Sequence, residues 1–311
     1  MGTRLIGTLV AAATAAVLAC GSAHAAELPV HYGNAEMLRI AGTTWDAAVP
    51  GANDYGCEPS AAHPNPVVLV GSTFLSDAVN WTAIAPYLAN QGYCVFTLNY
   101  GRTLYDVPPG LNGLDPIPLS APELAATVDR VLAATGAQKI DVVAHSQGGV
   151  LARYYVNELG AAAKVDRMVL LSSPFSMTSL PVDVESIARR IIPRELYDAI
   201  LYNGKVPPVW LNILDPWSLG KALVLQPGIR YTEITGRADE MGMLGGMLPP
   251  AGAANASTQF IDDRCPTDFS QHFAQPYSPT AVAMIGNALD PDHPNAVPCT
   301  VVPLYRLDSV R

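Results

Sequence analysis

Ser146 is the residue in this chain whose surroundings best suit nucleophilic chemistry. It lies in the pentapeptide A-H-S-Q-G, between the apolar run Ile140–Ala144 and an amphipathic segment. That order predicts a buried strand, a sharp turn at the serine and then a helix. Such a turn exposes the hydroxyl and leaves the backbone N–H of Gln147 free to bind an oxyanion. The pattern therefore indicates acyl transfer, against the alternative of a chance Ser-x-Gly at a strand–helix junction.

A serine hydroxyl needs an adjacent base, and His272 is the best candidate in the sequence. A serine is a poor nucleophile near neutral pH unless a base takes its proton. His272 follows the last predicted strand and precedes the last predicted helix, so its loop can fold back over Ser146. The alternative is an ordinary loop histidine. Of the other histidines, His24 lies in the first 25 residues, and the rest adjoin the serine or lie in irregular segments: His31, His63, His145 and His293.

The base in turn needs an orienting acid, for which we favour Asp239. This residue lies in the loop directly after the predicted strand 229–235. The order Ser146, Asp239, His272 is the Ser…Asp…His order of one hydrolase fold. Glu240 and Asp215 are the competing acids. An aspartate just past a strand can also be a turn former or a helix cap.

An oxyanion site needs a second backbone donor, and the loop after the first predicted core strand can supply it. The strand is the apolar run 66–70, and the loop is Gly71-Ser72-Thr73-Phe74. Its small residues allow a close approach to the sheet edge. We therefore expect the Thr73 N–H to act beside that of Gln147.

The elements that must position these residues alternate between strands and helices along the chain. This alternation predicts an α/β fold with a mostly parallel sheet covered on both faces, with chemistry at the carboxyl ends of the strands. Residues 27–66 look mostly irregular, and residues 174–228 read as a helical, cap-like insertion. The predicted strands are 66–70, 93–98, 140–144, 165–172, 229–235 and 257–262. The predicted helices are 81–90, 120–135, 147–159 and 279–289, the second with Ser120 as its cap.

Several of these segments resemble the α/β-hydrolase superfamily, and more closely its secreted bacterial lipases and esterases. The resemblance covers residues 53–289 and rests on the segments 66–74, 81–100, 141–149, 231–240 and 265–272. It implies that Ser146, Asp239 and His272 form a triad, with the Thr73 and Gln147 amides as the oxyanion hole. It also implies hydrolysis of carboxylic esters, commonly acylglycerols, without a cofactor.

The loop Gly71-Ser72 is where this chain departs from that family. The family normally has His-Gly there, and its histidine holds the oxyanion loop in place. Here that side chain is lost, and Ser72 adds a Cβ where glycine gives freedom. The departure leaves the geometry of the oxyanion hole in question, and one misplaced donor can cost ~10²–10³ in turnover.

The first 25 residues are typical of a secretory signal peptide. Arg4 precedes an apolar, alanine-rich run, and Ala23-His24-Ala25 gives the small residues that a signal peptidase reads. Cleavage after Ala25 would leave residues 26–311 as one hydrolase domain in a secreted protein. The alternative is lipoprotein processing at Cys20. The run is a poor membrane anchor, so we expect no stable anchor.

The remaining cysteines and the charge balance limit the other classes of function. Against 27 acidic residues the chain has 18 Lys and Arg, a net charge of −9 without basic clusters, which argues against nucleic-acid binding. Four cysteines outside the predicted signal allow three disulfide pairings. We favour Cys57–Cys94 and Cys265–Cys299, because each pair brackets one presumed unit. No cysteine spacing suits zinc, and we expect no metal site.

The sequence thus predicts a secreted serine hydrolase of carboxylic esters, with a small-molecule or lipid ester as its substrate. A thioesterase, peptidase or acyltransferase on the same triad is one alternative, because the fold does not choose among them. A catalytically weak lipid-binding protein on the same scaffold is another, motivated by the Gly71-Ser72 departure. The acyl chain length and the oligomeric state are not indicated.

Overall fold

In the computed structural model, the described residues are 27–43, 47–102, 111–175, 224–241 and 248–304. The predicted signal peptide 1–25 lies outside them. So do Asp215 and most of the predicted insertion, whose first and last residues, 174–175 and 224–228, are described.

Six strands form one sheet in which every pair of neighbours runs parallel. They are β1 (Val67–Val70), β2 (Val95–Leu98), β3 (Ile140–His145), β4 (Val165–Leu171), β5 (Arg230–Thr235) and β6 (Ala256–Phe260). Their order across the sheet is β2-β1-β3-β4-β5-β6. All carboxyl ends therefore meet at one edge, which is the edge where parallel sheets carry their sites.

Helices cover both faces of this sheet, as the predicted α/β class requires. They are α1 (Asn34–Thr43), α2 (Asp77–Trp81), α3 (Ile84–Asn90), α4 (Ile117–Thr135), α5 (Gln147–Glu158), α6 (Ile261–Arg264) and α7 (Pro279–Leu289), with 3-10 turns at Ala161–Lys164 and His272–Tyr277. Alternate side chains of β1 point to opposite faces. Val68 and Val70 pack with α4 and α5, whereas Val67 and Leu69 pack with α1, α2, α3 and α7.

The mostly irregular segment before β1 contains one helix, α1, which the sequence did not predict. Its side chains Met37 and Ile40 are three residues apart, share one helix face and are buried against the second face of the sheet. One turn of apolar residues is a weak periodic signal. Tertiary packing rather than pattern strength stabilises this helix.

The predicted helix 81–90 is two helices, because a proline lies in its middle. Ser76 caps α2 by accepting from the Val79 N–H, and α2 ends at Trp81. In an unbroken helix, Pro86 would have to donate an N–H to the Thr82 carbonyl, and proline has none. A new helix, α3, therefore begins at Ile84, where Pro86 falls in its first turn.

Ser120 does not cap α4, as the sequence predicted, because the helix begins one turn earlier at Ile117. Pro118 occupies the first turn, where backbone amides have no intrahelical acceptor and a missing N–H costs nothing. The Ser120 hydroxyl instead faces the Pro116 carbonyl at 3.4 Å. The helix has two prolines near its start, Pro118 and Pro122, and the later one was mistaken for the proline of the first turn.

Two disulfides join Cys57 to Cys94 and Cys265 to Cys299, the pairing that the sequence favours. The second attaches the C-terminal segment to the chain that leads from β6 to His272. There Val302 pairs with Asp268 in a short parallel bridge, and Phe269 N–H donates to the Val302 carbonyl. Within the described parts of the chain, no helix is long and apolar enough to cross a membrane.

Candidate active site

Ser146 occupies a strained turn between β3 and α5. Its backbone has φ 55° and ψ −125°, a conformation that non-glycine residues adopt at a cost and mostly at functional sites. The turn brings α5 close to β1: a Cβ at Gly148 would lie 2.1 Å from the Val70 carbonyl oxygen. Only glycine fits there. The strand–turn–helix that the sequence predicts is thus present, with the serine at its tip.

His272 lies beside this serine, with its ring between Ser146 and Asp239. Its Nε2 is 2.8 Å from Ser146 Oγ, and its Nδ1 is 3.1 Å from Asp239 Oδ2 and 3.2 Å from Oδ1. In this arrangement Nδ1–H donates to the carboxylate and Nε2 accepts from the serine hydroxyl. The structure therefore brings together all three residues that the sequence selected.

Asp239 is held by partners that sequence reasoning did not identify. Met241 N–H donates to its Oδ1 at 2.8 Å, and Gln275 Nε2 donates to its Oδ2 at 2.9 Å. Gln275 is itself oriented by the Ser172 hydroxyl, which donates to its Oε1 at 2.6 Å. Gln275 is three residues from His272, so one short 3-10 helix supplies both a base and a carboxylate partner.

The charges in this buried cluster oppose the effect of burial on both titrating groups. Burial alone raises the pKa of Asp239, but the His272 charge and hydrogen bonds from His272 and Met241 outweigh it and hold that pKa below its ordinary value. Burial alone lowers the pKa of His272, but Asp239 and then Glu240 outweigh it and raise that pKa. The cluster therefore stabilises an imidazolium beside a carboxylate.

Glu240, the competing acid, contacts the backbone of His272 rather than its ring. Its Oε2 accepts from the His272 N–H at 2.9 Å. Burial raises the pKa of Glu240, although His272 partly opposes this shift. The two neighbouring carboxylates thus contact different parts of the histidine: Asp239 contacts the imidazole, and Glu240 accepts from the backbone N–H.

The two predicted oxyanion donors lie next to each other. Thr73 Oγ1 donates to Gln147 Oε1 at 2.9 Å, so the side chains join the loop after β1 to the start of α5. Neither the Thr73 N–H nor the Gln147 N–H has an acceptor among the residues that the structure describes. Two free amides near a serine hydroxyl are the arrangement that binds a tetrahedral oxyanion.

The rings of the other described histidines make no hydrogen bond to Ser146. His145 Nδ1 is 3.2 Å from Asn80 Oδ1 and its Nε2 is 3.1 Å from the His272 carbonyl. His63 stacks on Tyr93. The others pair with acidic residues at the surface: His31 with Glu36, and His293 with Asp290. Elimination by sequence position therefore agrees with their placement.

Comparison with known proteins agrees with the observed fold. Residues 66–208 match the sequence profile of the alpha/beta hydrolase fold. Triacylglycerol lipase of Burkholderia plantarii is 35% identical over 113 residues, which are 35% of this chain and 29% of that protein. A triacylglycerol lipase of Pseudarthrobacter phenanthrenivorans is 35% identical over 99 residues, 30% of this chain and 28% of that protein. The chain thus covers less than a third of either lipase.

A solved structure shows the same architecture. Aspergillus fumigatus lipase B superimposes with a TM-score of 0.50 at 17% identity, over 82% of this chain and 62% of that one. At this identity the likeness concerns the fold. Since the parallel sheet, the profile match and this superposition agree, the chain has the α/β-hydrolase fold.

Proposed function

We propose that this protein is a secreted serine hydrolase that cleaves carboxylic esters, with acylglycerols as the substrate class. The observation that carries the proposal is the continuous hydrogen-bonded series Ser146–His272–Asp239 at the carboxyl edge of the sheet. The local similarity to two triacylglycerol lipases supports ester chemistry over other uses of such a series. The two disulfides support an oxidising compartment, as export would provide.

In the proposed mechanism each residue has one step. Ser146 Oγ attacks the acyl carbonyl while His272 Nε2 takes its proton, which gives a tetrahedral oxyanion. Asp239 fixes the imidazole tautomer and stabilises the imidazolium. The Thr73 and Gln147 amides hold the oxyanion. The intermediate collapses to an acyl-serine as His272 protonates the leaving alcohol, and a water activated by the same histidine then releases the carboxylic acid.

Replacing Ser146 with alanine tests the assignment. We expect S146A to lose turnover of p-nitrophenyl esters by a factor of at least ~10³, because the variant keeps the oxyanion site but has no nucleophile. Its thermal unfolding should stay close to that of the wild type, since alanine keeps the Cβ and changes only the hydroxyl at the turn. Ser60→Ala is the matched control, since the Ser60 hydroxyl lies in the loop before β1, where it accepts from the His63 N–H. An S146A protein with wild-type turnover would refute the proposal.

A series of substrates would define the class more closely. Hydrolysis rates for glycerol esters from acetate to long-chain acyl groups separate an esterase, whose rate falls with chain length, from a lipase. We expect the protein to hydrolyse triacylglycerols. Turnover of thioesters or amides with none of glycerol esters would instead favour another acyl hydrolase on the same triad.

A further inference from the structure

The loop that carries Thr73 has three consecutive amide groups, and the middle one is left free. Ser72 N–H donates to Asn80 Oδ1 at 3.1 Å, and Phe74 N–H donates to the Asn112 carbonyl at 2.8 Å. Thr73 N–H lies between them and has no acceptor in the described part of the chain. The amides on either side are therefore fixed by protein groups, while the central one remains available to a ligand oxygen.

Two buried side chains hold the peptide group that precedes Thr73. The Gly71 carbonyl and the Ser72 N–H belong to the same peptide. Tyr100 Oη donates to the Gly71 carbonyl at 2.8 Å, and Asn80 Oδ1 accepts from the N–H at the other end. Asn80 is 0% and Tyr100 1% exposed. Rotation of this peptide would break a hydrogen bond at each end and leave buried polar atoms unpaired.

Asn80 Oδ1 also connects the oxyanion loop, through His145, to the main chain of His272. The same oxygen accepts from the Ser72 hydroxyl at 2.9 Å and lies 3.2 Å from His145 Nδ1. The opposite ring nitrogen of His145 is 3.1 Å from the His272 carbonyl. One buried oxygen therefore accepts from the loop amide and the loop hydroxyl, and it lies within hydrogen-bonding distance of the imidazole that also contacts the main chain of His272.

We propose that Asn80 is a positioning residue that sets the direction of the Thr73 N–H toward the oxyanion. The inference rests on the proposed function and assigns Asn80 no contact with substrate. It also accounts for the Gly71-Ser72 departure. The hydroxyl that replaces glycine at position 72 gives Asn80 a second donor, so the loop is held from the α2 side without the histidine that related lipases place at position 71.

Asn80→Ala tests this role by its kinetic signature. A transition-state donor that is misdirected lowers kcat without weakening ground-state binding. We expect a fall in kcat of ~10- to 100-fold, near the loss of one oxyanion donor, with KM within about threefold of the wild type. The Kd of n-butylboronic acid, which forms a tetrahedral adduct with the serine, should rise by a similar factor. An unchanged kcat and boronate Kd would overturn the inference.

Two further variants keep the test decisive if N80A folds poorly. Tyr100→Phe removes only the hydroxyl at the other end of the same peptide, and we expect the same signature with a smaller loss of kcat, about 3- to 10-fold. Ser72→Ala keeps the backbone bond to Asn80 and should cost less than either. A larger effect for S72A than for N80A and Y100F would contradict the proposed order of importance.

A matched control separates positioning from general destabilisation. The Asn255 amide donates to the Gln226 and Ile229 carbonyls at the amino edge of the sheet, opposite the site. Asn255→Ala should lower the Tm while kcat and the boronate Kd stay at wild-type values. Equal loss of kcat in N255A and N80A would assign the effect to stability and overturn the inference. An inactive wild-type protein that a fluorophosphonate does not label would instead defeat the proposed function itself.

Discussion

At the residue scale, the environment of His272 depends on two carboxylates with different contacts. Asp239 touches the imidazole, and Glu240 touches the backbone N–H of the same residue. Both raise the pKa of the histidine against the opposing effect of burial. A base must be neutral to accept a proton, so activity is lost as pH falls through this pKa. The acid limb of kcat/KM should therefore lie above the ordinary histidine value of about 6.5.

Glu240→Gln should move that acid limb to lower pH. Glutamine keeps an oxygen that accepts from the His272 N–H, but it removes a negative charge that raises the pKa of the imidazole. A lower pKa leaves more neutral base at a given acidic pH, so the variant gains relative activity there, with a plateau kcat near the wild-type value. The measurement is the pH profile of kcat/KM. A limb that stays in place or moves upward would show that Glu240 does not act through charge.

The residue types of the site were predictable where a local pattern marked them, and not elsewhere. Ser146 lies in a recognisable strand–turn–helix, and His272 stands out among few histidines. Gln275 and Asn80 carry no such mark, because they act through partners 36 and 65 residues away, Asp239 and His145. Amides of this kind are common throughout proteins. Only the folded chain shows which of them are buried beside a reacting group.

At the element scale, the close contact between α5 and β1 positions Ser146, the proposed nucleophile. A Cβ at Gly148 would overlap the carbonyl oxygens of Val70 and Gly71 at 2.1 and 2.6 Å. Those atoms are backbone, so they cannot give way as a flexible side chain would. The same approach brings Gln147 to the loop after β1, where Thr73 contacts it. The packing of α5 against β1 therefore also brings Gln147 next to Thr73.

Gly148→Ala should lower both stability and activity. Forcing the added methyl between α5 and β1 should reduce the free energy of unfolding by about 1–3 kcal/mol or more, and should separate Gln147 from Thr73. Gly42→Ala in α1 is the control, because nothing lies within 4 Å of its Cβ position and alanine favours a helix. Urea unfolding and ester turnover measure both effects. A G148A protein as stable as G42A would show that the contact is not tight.

The elements themselves were predicted best where they are long and apolar. The six strands lie close to their expected positions. The first four are mostly apolar, as buried parallel strands are, whereas β5 and β6 carry more polar residues. Helix starts were less predictable. Pro122 marked the wrong turn as the start of α4, and the break that Pro86 imposes before Ile84 was not predicted. The short helix α1 depends on two buried side chains, Met37 and Ile40.

At the scale of the whole molecule, only one of the two disulfides lies in the stretch of chain that leads to His272. Cys57–Cys94 joins the segment before β1 to the start of β2, at the amino edge of the sheet. Cys265–Cys299 instead ties the C-terminal segment to the chain that leads to His272. Both close loops of similar length, with separations of 37 and 34 residues. The chain-entropy model therefore assigns them similar stabilisation, about 3–4 kcal/mol each.

Removing each disulfide should separate stability from function. We expect C57A/C94A and C265A/C299A to lose similar free energy of unfolding, about 3–4 kcal/mol. At a temperature where both remain folded, only C265A/C299A should lose activity, because its loop carries the base. The comparison needs chemical unfolding curves and initial rates for both variants. Equal kinetics in the two variants would mean that the C-terminal segment does not order the His272 loop.

The central claim is that Ser146 is the nucleophile of an ester hydrolase, and covalent labelling tests it most directly. The protein is treated with a fluorophosphonate, and the modified peptide is located by mass spectrometry. The proposed mechanism predicts one label per chain, on Ser146, and its loss in His272→Ala because the base no longer takes the serine proton. No label, or a label on another residue, would contradict it.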